Sequence, residues 1–297
     1  MSSGVRVLNR LDRWLFSEIP AERLAAVRIL VGAFAWIYLT ARSPDFFDLA
    51  TRTPGRFDGV GIVAAWSEPW TAQGVLTSYA ACWLLAGAFT LGLWFRFLAP
   101  AFALGLTLLL TYRNSFGMVF HTENLLVLHV WILAFAPCAT RWAYAPRSPK
   151  AKRRPALAWP LRLMALVCVS TYMLAGIAKL ANSGSGWLSG EVLMGHIAYD
   201  ALRKSQVGGS FSPLGPWLLR VPWIFGPLAW LSVLWEIGAP LALIRERWGH
   251  AWVAGAWCFH FGVWVLMFIF FPYPLTGIAF LAFFKPDEWM NRLVSKS

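Results

Sequence analysis

The run LRLMALVCVSTYMLAGIAKL, residues 161–180, decides what kind of protein this is. Its two charges stand near the ends, at Arg162 and Lys179, and the residues between them carry none. About 20 such residues are what an α-helix needs to cross the hydrocarbon core of a bilayer. A soluble protein would have to cover that surface with other protein and keep a polar shell outside it. Here 58% of the 297 residues are hydrophobic and 13% are charged, with a mean hydropathy of +0.56. That is about half the charged fraction of a soluble domain. The balance excludes intrinsic disorder and a disulfide-stapled secreted module, and it leaves little room for a compact soluble enzyme.

Working outward from 161–180, seven further apolar segments stand at roughly 24–41, 74–93, 97–112, 121–137, 222–244, 251–271 and 273–284. The expected fold is all-α: a polytopic membrane bundle of about eight transmembrane helices forming one domain over 1–297. The third and fourth segments in chain order and the last are short for a perpendicular crossing, so tilt or local thinning is expected there. The last, following Pro272 and Pro274, has a re-entrant piece as its alternative. Residues 1–23 read as an amphipathic segment lying along the interface rather than a cleaved leader.

Orientation follows from the basic residues. With both termini cytoplasmic, 17 of the 26 Lys and Arg fall on the inner side and 7 on the outer. The positive-inside rule therefore favours that orientation. The stretch 138–160, containing SPKAKRRPALAWP, is the sharpest cytoplasmic marker. Residues 42–73 and 181–221 become outer segments, the second with helical periodicity through EVLMGHIAYDALRK. The net charge of +12 is thus spent on loops, and nucleic acid is not an expected partner. Cys82, Cys138, Cys168 and Cys258 form no CxxC pair, so no metal is expected. Nineteen tryptophans fit an interfacial belt. HExxH, GxSxG, P-loop and strand-to-helix GxGxxG motifs are all absent.

Ionisable side chains inside apolar spans mark function by default, because burying them unpaired costs several kcal/mol. Tyr172, Gly176 and Lys179 stand at i, i+4 and i+7 and share one helix face. Lys179 has two readings: a lysine snorkelling to the outer headgroups, or an amine usable as a base once burial has stripped water from its charged form. His121 and Asn124, three apart at the outer start of the fourth segment, can face one pocket. The helix amino terminus there offers donors to an anion. Glu123 points elsewhere, as a cap on the helix start. Glu236 and His260 are near mid-span, where a structural pair is expected, Glu236 with Arg28 or with His260. The alternative for both is a proton path or ligand binding.

Six stretches together have a familiar order: AERLAAVRILVGAF (21–34), FHTENLLVLHVWILAF (120–135), YMLAGIAKLANSGSGWLSG (172–190), WEIGAPLALI (235–244), CFHFGVW (258–264) and FLAFFKPDEWMNRL (280–293). In that order the chain resembles the HTTM-domain membrane family, including the transmembrane part of vitamin K-dependent gamma-carboxylase. The resemblance implies a site near the outer leaflet where a reduced quinone of the vitamin K or menaquinol type reacts with O2. The strong base so formed abstracts a carbon-bound proton, and CO2 captures the product. It implies Lys179 as base, His121 as support for developing negative charge, and Asn124, Tyr172, Gly176, Trp187, Glu236 and His260 as quinone or substrate contacts. Phe120 stands where that carboxylase has Asn before its His. The expected function is a hydroquinone- and O2-using membrane enzyme of the prokaryotic cytoplasmic membrane. Its partners would be lipids, a lipid quinone and a peptide or small-molecule substrate. Two alternatives stand beside it: a non-catalytic maturation or immunity partner for a co-expressed peptide, and a small-solute or proton carrier. The carrier lacks an inverted repeat and clearly broken central helices in the sequence.

Overall fold

The structure is a computed structural model that describes residues 11–52, 54–144 and 156–294. The first ten residues of the amphipathic segment, and 145–155 of the basic loop, lie outside the described residues. In chain order the helices are α1 (Ala21–Ala41), α2 (Ser43–Ala50), α3 (Ala72–Leu91), α4 (Phe95–Asn114), α5 (Asn124–Phe135), α6 (Trp159–Ser183), α7 (Ser185–Leu188), α8 (Glu191–Gln206), α9 (Leu214–Leu218), α10 (Phe225–Ile237), α11 (Glu246–Met267), α12 (Pro272–Leu275) and α13 (Pro286–Val294). Short 3-10 turns fill some of the connections. The described strands are a two-residue antiparallel ladder, β1 (Glu18–Ile19) with β2 (Ala156–Leu157), pairing Glu18 with Leu157 and Ile19 with Ala156. The all-α reading holds.

Five helices, α1, α3, α4, α6 and α11, are long and apolar enough to cross a membrane. Protein covers only 28%, 33% and 22% of the most apolar windows of α3, α6 and α11. Leu84 on α3 and Leu174 on α6 are exposed, as is Ile37 on α1. In water that surface would cost about 25 cal/mol for every Å² left uncovered; in lipid it costs nothing. Here Thr71 caps the start of α3 by accepting a hydrogen bond from the Gly74 N–H at 3.1 Å, and Gly92 ends it in the left-handed region.

The remaining apolar segments are shorter or broken. α5 has 12 residues, or about 18 Å of helix. Segment 222–244 gives α10 and then a 3-10 turn over Ala239–Leu243, because Pro240 lacks the N–H that an α-helical ladder needs there. The last segment is interrupted in the same way: α12, then a 3-10 turn over Ile278–Phe283. The expectation of unbroken central helices is therefore corrected.

The chain divides into two compact units, with the division inside α6. One comprises residues up to Met164 and those from Lys285 onward; the other is Ala165–Phe284. In the first, α1 packs on α3, and α13 is tied to the start of α1 by Arg23, whose guanidinium donates to both carboxylate oxygens of Asp287 at 2.8 and 3.3 Å. Arg28, fully buried, donates to the carbonyls of Cys138 (3.1 Å) and Trp142 beyond the end of α5. In the second unit, α7, α10 and α11 bring side chains against the second half of α6, and α8 and α9 pack on α11. Gly190 has φ 87°, a conformation that favours glycine. It also brings its backbone so close to Phe225 and Gly226 that a Cβ there would lie 2.3 Å from the Phe225 carbonyl carbon. That turn holds α7 and α8 against α10.

Candidate functional site

The second unit gathers six of the eight singled-out residues around two polar pairs, one partly and one fully buried. The first pair is Lys179 and Glu236. The Lys179 ammonium donates to both carboxylate oxygens of Glu236 at 2.6 Å. Their side chains are 18% and 5% exposed. Lys179 is therefore not reaching for the outer headgroups, and Glu236 pairs with neither Arg28 nor His260.

The local reason lies at Gly176, one turn before Lys179 on α6. A Cβ there would come within 2.9 Å of the Glu236 Cβ and of Ile237 Cγ1. Only the absence of a side chain lets α10 approach α6 closely enough for the carboxylate to meet the ammonium. Glu236 is the penultimate residue of α10, two positions ahead of the Gly238 to Pro240 break.

Two aromatic faces complete the surroundings of the ammonium. The Trp187 ring, on the short helix α7, has its centroid 4.9 Å from Lys179 Nζ, and that of Phe259 on α11 lies 5.2 Å away. Both distances are within cation–π range. The indole Nε1 of Trp187 is buried and has no hydrogen-bond partner among the described residues. Buried donors in this condition are rare in native proteins.

The second pair is Tyr172 and His260, joined Oη to Nε2 at 2.7 Å and both buried. Trp252 meets the Tyr172 ring edge-on, and Phe280 and Phe271 close around the pair. Tyr172 and Lys179 are seven residues apart on one face of α6, or about 10 Å along its axis. His260 follows Phe259 on α11. The two pairs therefore share α6, one joining it to α10 and the other to α11, with Gly176 between Tyr172 and Lys179 along α6. A structural bond between Glu236 and His260, expected from mid-span position, is replaced by these two separate pairs.

His121 and Asn124 belong to the first unit and are both exposed, His121 just ahead of α5 and Asn124 at its first residue. Glu123 does not cap α5. It is buried and accepts from Arg113 at 2.8 Å and from the Tyr38 hydroxyl, while Arg113 also donates to Tyr38 Oη at 3.2 Å. This three-way cluster of α1, α4 and the start of α5 was not legible in the sequence, because nothing local to Tyr38 or Arg113 names its distant partners. Phe259 was also missed. Its one signal was its place beside His260 in CFHFGVW.

A family model for the HTTM domain matches residues 16–289, nearly the whole chain. No curated protein and no solved structure matches it.

Proposed function

The chain belongs to the HTTM family, and from that premise we propose that it is an integral membrane enzyme using a lipid-soluble hydroquinone together with O2. The observation that supports this reading is the partly buried Lys179–Glu236 pair held between the faces of Trp187 and Phe259. A ring carrying hydroxyl groups needs flat apolar walls and a few placed polar atoms. The two aromatic residues are such walls, the pair is a donor–acceptor couple, and the Trp187 Nε1 donor is available to a ligand oxygen. The residues present therefore fit a hydroquinone of the vitamin K or menaquinol type.

When bound, the hydroquinone would supply the electrons for O2 and the strong base that the family resemblance implies. The chain supplies the rest. Glu236 Oε and Lys179 Nζ hold and move a proton in a site away from water. Trp187 and Phe259 orient the ring, and Tyr172 with His260 keeps α6 and α11 in register. Proton abstraction from a peptide or small-molecule substrate, with CO2 capture, extends the same reading. So does a topology of eight crossings in a prokaryotic cytoplasmic membrane, with residues 138–160 inside.

The test uses purified protein in nanodiscs given a short-chain naphthohydroquinone. Oxygen-dependent consumption is followed, with mass detection of quinone or epoxide. Turnover that is lost in Lys179→Ala supports the reading. A well-folded wild type that neither consumes the hydroquinone nor co-purifies with a lipid quinone overturns it.

One observation favours a second reading. α10 breaks at Gly238 beside Glu236, and the chain breaks again between Phe268 and Gly277. Broken helices next to buried charge are a feature of carriers. Proton flux into proteoliposomes, abolished by Glu236→Gln without any quinol present, would select it.

A further inference from the structure

We propose that a cavity in the first unit, bounded by the ends of α2 and α4 and the start of α3, binds an organic ammonium group of the choline type. All of its walls belong to that unit, and none of them takes part in the proposed hydroquinone chemistry.

The cavity measures about 690 Å³, within the range of small-molecule sites. Four aromatic residues line it: Phe57, Trp70, Tyr112 and Phe116. Local bonds hold them in place. The Trp70 backbone N–H donates to Tyr112 Oη at 3.1 Å, and the two rings stack with centroids 4.1 Å apart. The Phe57 ring lies 5.8 Å from that of Tyr112 and 5.4 Å from that of Phe116. Just after Phe57, the Asp58 N–H donates to the Ser115 carbonyl at 2.8 Å, and the Val60 N–H donates to Ser115 Oγ at 3.2 Å. The connection between α2 and α3 is thereby pinned at both ends to the end of α4. The aromatic wall is formed before any ligand arrives, which lowers the ordering cost of binding.

Charge selects the ligand. Two charged side chains line the cavity, Arg52 and Glu68. Arg52 is already neutralised, since its Nε and Nη2 donate to Asp48 Oδ2 at 3.0 and 2.9 Å. Glu68 is exposed and has no ion-pair or hydrogen-bond partner among the described residues. The uncompensated charge at the cavity is therefore negative. An anionic ligand would be repelled by it, and a neutral one would leave it unused. A cation uses both features: the carboxylate attracts it, and ring faces carry the negative end of their quadrupole toward it. A methylated ammonium suits these walls better than a primary one. Its methyl groups pack on the rings, and it has no N–H that an aromatic wall would leave unpaired.

Choline-type groups occur both as free amines and in lipid headgroups, and saturation-transfer NMR with choline separates these sources. The full chain is held in maltoside micelles, which contain no ammonium. Saturable transfer to the choline methyl protons is expected. Glu68→Gln, at an exposed position, should fold like wild type and bind choline about tenfold more weakly. Trp70→Leu should weaken binding to a similar degree, with size exclusion reporting whether it folds. Arg52→Gln should not weaken binding, because it removes a positive charge and frees Asp48. Displacement of choline by a short-chain phosphatidylcholine supports the proposal with a lipid headgroup as the source; choline binding that persists supports it with a free amine. Absence of saturable transfer to the wild type, or transfer unchanged in Glu68→Gln, overturns it.

Discussion

Lys179 Nζ lies 2.6 Å from both carboxylate oxygens of Glu236, which joins the second half of α6 to the last turn of α10. A lysine near the end of a span ordinarily extends its stem toward the headgroups, because an ammonium in water is cheaper than one in protein. Here a carboxylate and two aromatic faces replace that water. Such an arrangement is weak evidence for stability, since desolvating both charges consumes most of their attraction. It is better evidence that the charges are used.

Removing one member of this pair should cost far more than removing both. Lys179→Met leaves a buried carboxylate without a partner and should lower unfolding free energy by about 3–5 kcal/mol. Lys179→Met combined with Glu236→Leu should recover most of that loss. Thermal unfolding in detergent across the double-mutant cycle measures it. Equal, additive losses would mean that the two side chains do not interact.

Gly176 is predicted to control the pair by distance. Gly176→Leu drives a side chain into Glu236 and Ile237, where even a Cβ would lie at 2.9 Å. Overpacking of this kind costs about 1–3 kcal/mol. Because α10 must shift, hydroquinone turnover should fall further than the lowered melting temperature accounts for. Comparing turnover well below the melting transition separates the two effects.

In the first unit, Arg28→Met should be strongly destabilising without touching the Lys179 pair. It keeps an apolar stem but leaves the carbonyls of Cys138 and Trp142 without their guanidinium donor. A buried acceptor left unsatisfied costs about 1–3 kcal/mol. The expected result is a lower yield of monodisperse protein on fluorescence-detected size exclusion. An unchanged melting temperature would remove the role assigned to Arg28.

Cys138 should be inert in the folded protein. Burial pushes its thiol up to about 12, against an opposing pull from the Arg28 guanidinium. Thiol reactivity requires the thiolate, so almost none forms at pH 8 and reactivity rises only as pH approaches 12. Alkylation followed by peptide mass mapping should show Cys138 unmodified in native protein and modified after denaturation.

The orientation read from charge predicts that a cysteine at Lys150 is labelled only from the cytoplasmic side. One at Gly209 should be labelled only from outside. Labelling of both from one side would overturn the topology.

How much of this was legible follows from the range of the forces involved. Hydropathy is a local sum, so 161–180 and four other long apolar runs announce membrane helices by themselves, and the HTTM order of motifs could be read along the chain. The i, i+4, i+7 spacing likewise places Tyr172, Gly176 and Lys179 on one face, because helix geometry is periodic. Helix breaks were partly visible at Pro272 and Pro274, whereas Pro240 stood inside 222–244, read as one span, and its consequence for the length of α10 was not seen. What the chain could not reveal was which buried charge meets which. Glu236 was as plausible opposite Arg28 or His260 as opposite Lys179, since nothing local to any of them distinguishes the partners. That choice was made by tertiary packing. A missing side chain at Gly176 lets α10 close on α6, a turn at Gly190 seats Trp187 over the ammonium, and Arg28 is drawn to backbone carbonyls in the other unit. Sequence determined the solvent each helix lives in; the packing of helices distant in the chain decided where its charges are neutralised, because electrostatic pairing acts through space and only the folded chain defines those distances.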